Sequence, residues 1–181
     1  YELAKEITTP DGFINTDDKP ININVLIGKK VILVDFWTYS CINCQRTLPY
    51  LTAWYKTYKD EGLEIIGVHA PEFEFEKDYD NVNRAVEKWD INYPVVLDND
   101  HQTWTAFRNQ YWPRKYLIDL DGYIVYDHIG EGGYEETEQK IRELLSERRN
   151  RLGIAAPMAL EMANVSVSAA SREVGTPEIY L

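Results

Sequence analysis

The stretch that most restricts the fold is "KKVILVDFW", residues 29–37. Its β-branched and aromatic side chains favour an extended chain. They do not alternate with polar residues, so both faces of the strand must be covered, at the centre of a sheet with helices on each side. "GLEIIGVHA" (62–70) and "YPVVLD" (93–98) are runs of the same kind. "RKYLIDLDGYIVYDHIG" (114–130) reads as a strand, an Asp-Gly turn and a return strand. Between the runs, apolar and aromatic residues recur at helical spacing. Leu48, Leu51, Tyr55 and Tyr58 predict a helix over 42–60, and Val82, Val86 and Trp89 a second over 75–90. A short third spans 101–109, and Ile141, Leu144 and Leu145 mark a last one over 134–150, opened by the Gly132-Gly133 loop. Ahead of all this, "GFINTDDKPININVL" reads as an N-terminal β-hairpin. Asp17, Asp18 and Pro20 supply its turn, and Ile21, Ile23 and Val25 alternate with Asn22 and Asn24. Strands alternating with helices predict an α/β fold.

A net charge of −11 in 181 residues argues against a nucleic-acid partner, which needs clustered Lys and Arg. No apolar run reaches the roughly 18 residues that span a bilayer. The chain opens at Tyr1 with no basic-then-apolar leader and ends at "EIYL", so we expect a piece of a longer protein, one that could carry a membrane anchor ahead of it. The domain is expected over 1–150. Residues 151–181, rich in small residues and without steady periodicity, read as a linker or lead-in to a following domain.

The only two cysteines, Cys41 and Cys44, sit where the apolar run gives way to the first helix. Zinc would need two further ligands at suitable spacing, and His69, His101 and His128 are scattered singly, so no metal is expected. Redox exchange suits the setting better. Cys41 falls at a helix N-terminus, where free N–H groups and the dipole stabilise a thiolate. Cys44, one turn inside, is shielded and able to close a small ring. Cys41 is thus the expected nucleophile and Cys44 the resolving thiol.

"VDFWTYSCINC" resembles the active-site segment of thioredoxins, with Asp35 six residues before the first cysteine. Pro49 falls where thioredoxins carry a helix-kinking proline, and the resemblance runs from residue 13 to about 148. Ser40 stands in place of the usual Trp, and Ile42-Asn43 in place of Gly-Pro. The N-terminal hairpin and the inserted helix at 75–90 resemble the TlpA/ResA-like extracytoplasmic subgroup. "FWTYSCINCQRTLPY", "GVHAPEFEFEKD", "QYWPRKYLID" and "GEGGYEETE" resemble the thioredoxin-like module of DipZ-type proteins. In those, the module follows a CcdA-like membrane domain and precedes a carbohydrate-binding-like one.

The resemblance implies a thioredoxin fold, a central mixed β-sheet flanked by helices. It makes Asp35 the proton acceptor and donor beneath Cys44, and Pro113 a cis-proline that offers backbone groups to a bound peptide, with Trp112 beside it. It puts Glu72 near the cysteines as a tuning acid and packs Trp37 by the active-site loop. Tyr39, Ser40, Ile42 and Asn43 border the cysteines and are expected to shape partner contact. His69 is expected to be structural.

The function this implies is extracytoplasmic thiol–disulfide exchange on protein substrates, tethered to the membrane in the full-length protein. The expected direction is reduction, with electrons from a CcdA-like domain and no cofactor beyond the Cys41–Cys44 disulfide. Two alternatives stand beside it. One is a peroxidase, for which Thr38 fits the Pro-x-x-x-Thr-x-x-Cys frame, although Val34 occupies its proline position. The other is a non-enzymatic docking module with inert cysteines.

Overall fold

A computed structural model describes residues 1–155 and Ala163. The expected lead-in over 151–181 therefore lies almost wholly outside the described residues. Seven strands form one mixed sheet: β1 (Glu2–Leu3), β2 (Gly12–Ile14), β3 (Val31–Trp37), β4 (Leu63–His69), β5 (Val95–Leu97), β6 (Arg114–Ile118) and β7 (Tyr123–Ile129). Their spatial order is β1-β7-β6-β3-β4-β5-β2. β3, β4 and β5 run parallel, and the remaining neighbours pair antiparallel. The helices are α1 (Ile42–Tyr58), α2 (Tyr79–Lys88), α3 (Gln102–Ala106) and α4 (Tyr134–Leu152).

As the apolar run demands, every residue of β3 is buried, and successive side chains feed two cores. Val31, Leu33 and Trp37 meet Leu48, Leu51 and Trp54 of α1, Val82 and Val86 of α2, and Ile141, Leu144 and Leu145 of α4. Ile32, Val34 and Phe36 face the other way, onto Trp104 of α3, Phe107 and the N-terminal Ile23. Glu138 of α4 is buried against α1, where it accepts from Trp54 Nε1 at 3.2 Å and Tyr58 Oη at 2.6 Å.

The expected N-terminal hairpin does not form. β2 pairs antiparallel with β5 at the far edge of the sheet, Phe13 opposite Val96. Residues 21–25 make no strand, and Asn24–Leu26 is a 3-10 turn. The backbone turns left-handed at Asn15, Asp17 and Asp18, which carries the chain away from β2. The polar groups that seemed to alternate are then used locally. The Glu6 carboxylate takes the N–H groups of Ile23 at 2.7 Å and Asn24 at 2.9 Å, and Asn22 Oδ1 takes that of Val25 at 3.0 Å. The inserted helix is also shorter than expected. Glu74–Lys77 is a 3-10 turn, and α2 restarts after Asp78, whose side chain caps it through the Asn81 N–H.

Candidate active site

β3 ends at Trp37, and the turn that follows delivers Cys41 to the start of α1. Cys41 is the N-cap residue, with φ −76° and ψ 119°, and its Sγ accepts the backbone N–H of Cys44 at 3.3 Å. A sulfur there receives the N–H groups a helix start leaves unpaired, so negative charge is favoured on it. Cys41 is partly exposed and Cys44 is buried, and no disulfide joins them in this structure. Burial, a hydrogen bond to Cys41 and the nearby charges push the Cys44 thiol well above its ordinary range. The pair thus consists of an accessible first sulfur and a shielded second one that needs help to lose its proton.

Beneath Cys44 lies a group of buried polar side chains. Asp35 stands on the α1 face of β3, opposite Lys115 of β6 and Gly67 of β4. A Cβ on Gly67 would come within 3.1 Å of both Trp37 Nε1 and Tyr93 Cε2, so the missing side chain leaves space for these rings. Asp35 Oδ1, Lys115 Nζ, Trp37 Nε1 and Tyr93 Oη are all buried without a hydrogen-bond partner among the described residues. Folded proteins seldom leave one such atom, and here several meet beside the cysteines. Burial pushes the Asp35 carboxyl up to about 7, with Lys115 pulling the other way. Burial likewise lowers Lys115, against the pull of Asp35, Cys44 and Glu131. Its Nζ lies 5.7 Å from the Tyr134 ring centroid.

A second carboxylate ties down the loop before Cys41. Glu76, buried in the turn after β4, accepts from the Thr38 hydroxyl, from Ser40 Oγ at 3.0 Å and from Ser40 N at 3.4 Å. Its other oxygen takes the N–H groups of Glu72 at 3.1 Å and Phe73 at 2.9 Å. Burial would raise its pKa, but the bonds from Thr38, Phe73 and Ser40 outweigh that and bring it below the usual range. His69 Nε2 accepts the Tyr39 N–H at 3.2 Å, which places the ring proton on Nδ1. Burial lowers its pKa to about 4, consistent with a neutral, structural histidine.

Of the residues expected from sequence, Cys41, Cys44, Asp35, Trp37, Tyr39, Ser40, Ile42 and Asn43 gather around the start of α1. Ile42 is exposed, and Asn43 is buried, with Oδ1 accepting from Arg46 at 3.3 Å. The Trp112–Pro113 bond is cis. Pro113 is buried, and Trp112 packs against both cores and donates from Nε1 to the Ala70 carbonyl at 2.8 Å. Glu72 is exposed, and the carboxylate that touches residues 38–40 belongs to Glu76. Glu76, Lys115, Tyr93 and Gly67 were not anticipated. Lys115 is a cation one residue inside a strand, but only the pairing of β3 with β6 sets it opposite Asp35.

Residues 2–127 match the AhpC/TSA family. The chain belongs to that family, in a thioredoxin-like form. It is 44% identical over 179 residues to Protein DipZ of Mycobacterium tuberculosis, a match covering 96% of this chain and 25% of DipZ. The chain thus spans about a quarter of that relative's length. It is 33% identical over 134 residues to the thiol–disulfide oxidoreductase ResA of Bacillus cereus, covering 73% of this chain and 74% of ResA. A solved thioredoxin-like protein in its oxidised form superposes with a TM-score of 0.72 at 28% identity, over 80% of this chain and 95% of that one.

Proposed function

We propose that this chain is a thiol–disulfide oxidoreductase that reduces disulfides in exported proteins, apocytochrome c among the possible substrates. The observation that carries the reading is the pairing of an accessible N-cap sulfur with a buried one above an unsatisfied carboxylate. The Cys41 thiolate attacks one sulfur of the substrate disulfide, a mixed disulfide forms, and the first substrate thiolate departs to take a proton from solvent. Cys44 then gives its proton to the Asp35 carboxylate and attacks Cys41 Sγ. The Cys41–Cys44 disulfide closes as the second substrate thiol leaves, so two electrons have moved from the pair to the substrate. On the thioredoxin resemblance, cis-Pro113 and Trp112 would receive the substrate chain opposite Cys41, with Tyr39, Ser40 and Ile42 at the surface and Trp37 and Asn43 buried behind them, and the acids Glu72 and Glu76 would favour the reductant direction.

A CcdA-like membrane domain in the same full-length chain would return the electrons, which places the module outside the cytoplasm and tethered to the membrane. The similarity to DipZ over nearly the whole chain supports this arrangement.

The test is to trap the intermediate and fix the potential. With a protein disulfide as substrate, Cys44→Ser should accumulate a mixed disulfide on Cys41 that mass spectrometry detects. The couple should also equilibrate at about −220 mV or lower. A potential near −120 mV would make the chain an oxidant instead. Failure of the wild-type pair to form an intramolecular disulfide would return the cysteines to an inert role in a docking module. The peroxidase reading is disfavoured because Thr38, its one matching residue, spends its hydroxyl proton on Glu76. Peroxide consumption measures that directly.

A further inference from the structure

Beside the Cys41 turn two phenyl rings lie open to solvent, next to the half-buried Tyr39 that stacks on His69. Phe73 is 49% exposed and Phe75 is 55% exposed, and the two rings stack 5.5 Å apart at an interplanar angle of 9°. Tyr39 joins them, its ring edge-on to Phe75 at 6.2 Å and its hydroxyl donating to the Phe75 carbonyl at 3.4 Å. Ile42, next to Cys41 in the chain, is 44% exposed as well. The backbone under this ledge is held firmly. The Phe73 N–H is bound by Glu76, the carboxylate that also holds Ser40, and the Phe75 carbonyl accepts from Asn81 Nδ2 at 3.0 Å. Exposed aromatic side chains on a fixed backbone mark a contact surface, since they offer large apolar area at little further cost in order.

The charge around the ledge selects its occupant. Glu72, Glu74, Asp78 and Asp80 are all exposed, and Lys77, the one cation among residues 72–80, is paired with Glu74 at 3.1 Å. We propose that Phe73, Phe75 and Tyr39 form a docking ledge for the stretch of substrate polypeptide beside its disulfide, one that carries an aromatic or aliphatic side chain next to a Lys or Arg. The apolar side chain lies on the stacked phenyl rings while the cation faces the surrounding carboxylates, which also steer its approach. The ledge deepens the oxidoreductase reading and rests on it, because it is continuous with the loop that presents Cys41.

The test compares two short peptides, each closed by a disulfide. One carries Phe and Lys beside its cystine, and the other carries Ser and Glu. The wild-type chain should reduce the first with a kcat/KM about tenfold higher, the scale of one well-made contact. That ratio should shrink at high salt and fall several-fold in Phe73→Ser/Phe75→Ser, to what the carboxylates alone supply. The ratio is unaffected by any general loss of activity, and Glu74→Lys/Asp80→Lys should lower it through charge alone. A wild-type ratio near one, or a double Ser variant that keeps the preference, would overturn the ledge. Failure of the wild type to reduce hydroxyethyl disulfide, which carries no peptide, would overturn the redox reading instead. In that case NMR titration with the S-methylated Phe/Lys peptide still decides the ledge. Shifts centred on Phe73 and Phe75 support it, and their absence refutes it.

Discussion

Asp35 and Asp98 are the same residue type, each 1% exposed, and each sits on or just after a central strand. Their surroundings differ completely. The Asp98 carboxylate accepts the backbone N–H groups of Thr103 at 3.0 Å and Trp104 at 2.8 Å, so it fastens the first turn of α3. Asp35 offers an oxygen to which no described residue donates, close to the charge of Lys115, to Tyr93 and to the resolving cysteine. Burial raises both carboxyls, but only at Asp98 do backbone donors push back. A satisfied buried carboxylate is structure, whereas one kept unsatisfied is available for a proton.

The largest test of this contrast is kinetic. Asp35→Asn should slow resolution of the mixed disulfide about 100-fold at pH 8, the lower end of what a positioned proton acceptor supplies. In the wild type that rate should rise with pH through about 7, where the Asp35 carboxyl ionises. In the variant the rise should vanish. Asp98→Ala, assayed the same way, should keep the wild-type profile. Stopped-flow tryptophan fluorescence follows the step.

The two sites should then part in sign of stability. Asp98→Ala strands two buried N–H groups and is expected to cost about 2 kcal/mol. Asp35 has a folded pKa of about 7 against an ordinary 3.8, so the folded state holds its proton more tightly. The stability this gives is complete below pH 4 and is lost as pH rises through 7. Asp35→Asn cannot ionise, and on this linkage alone it should be more stable than wild type at pH 8 by about 4 kcal/mol and nearly equal near pH 4. Lys115 loses its countercharge in that variant and takes back part of the gain. Urea unfolding at the two pH values measures both variants.

Lys115 sharpens the comparison at smaller scale. It is the group that pulls the Asp35 carboxyl down, so Lys115→Met should move the midpoint of the resolution profile from about 7 to about 8. The rate at pH 7 would fall about fivefold with the high-pH plateau intact. A purely structural lysine would change stability and leave the midpoint where it is.

The legible parts of this molecule are those where one local rule decides. The apolar runs announced β3 and β4 because a strand buried on both faces cannot hide its composition. Asp35 stood out because a carboxylate inside such a run is anomalous, and Cys41 and Cys44 because two cysteines at a helix start have few uses. The hairpin misled because Asn22 and Asn24 look like the polar face of a strand, while Asn22 in fact caps a turn and Glu6, distant in sequence, binds Ile23 and Asn24. The acids of "PEFEFEK" alternate at 72, 74 and 76. Nothing local says which one turns inward, so expectation fell on Glu72 while the buried carboxylate is Glu76. Lys115 was hidden for the same reason, since only the register of β3 against β6 puts it opposite Asp35.

His69 stands between the two aspartates, and it gives the smallest effect. Its Nε2 is satisfied by the Tyr39 N–H, its Nδ1 has no partner among the described residues, and burial holds its pKa near 4 against an ordinary 6.5. A depressed histidine stabilises the fold fully above pH 6.5, and that stability is lost as pH falls towards 4, because the unfolded chain takes the proton first. By pH 6 the loss is about 0.8 kcal/mol relative to alkaline solution. His69→Gln keeps an acceptor for the Tyr39 N–H and removes this titration while leaving that of Asp35, so its stability in urea unfolding should gain on the wild type's by about 1 kcal/mol between pH 8 and pH 5.5. A variant that keeps the wild-type slope would assign the acid sensitivity elsewhere and make His69 as fully satisfied as Asp98.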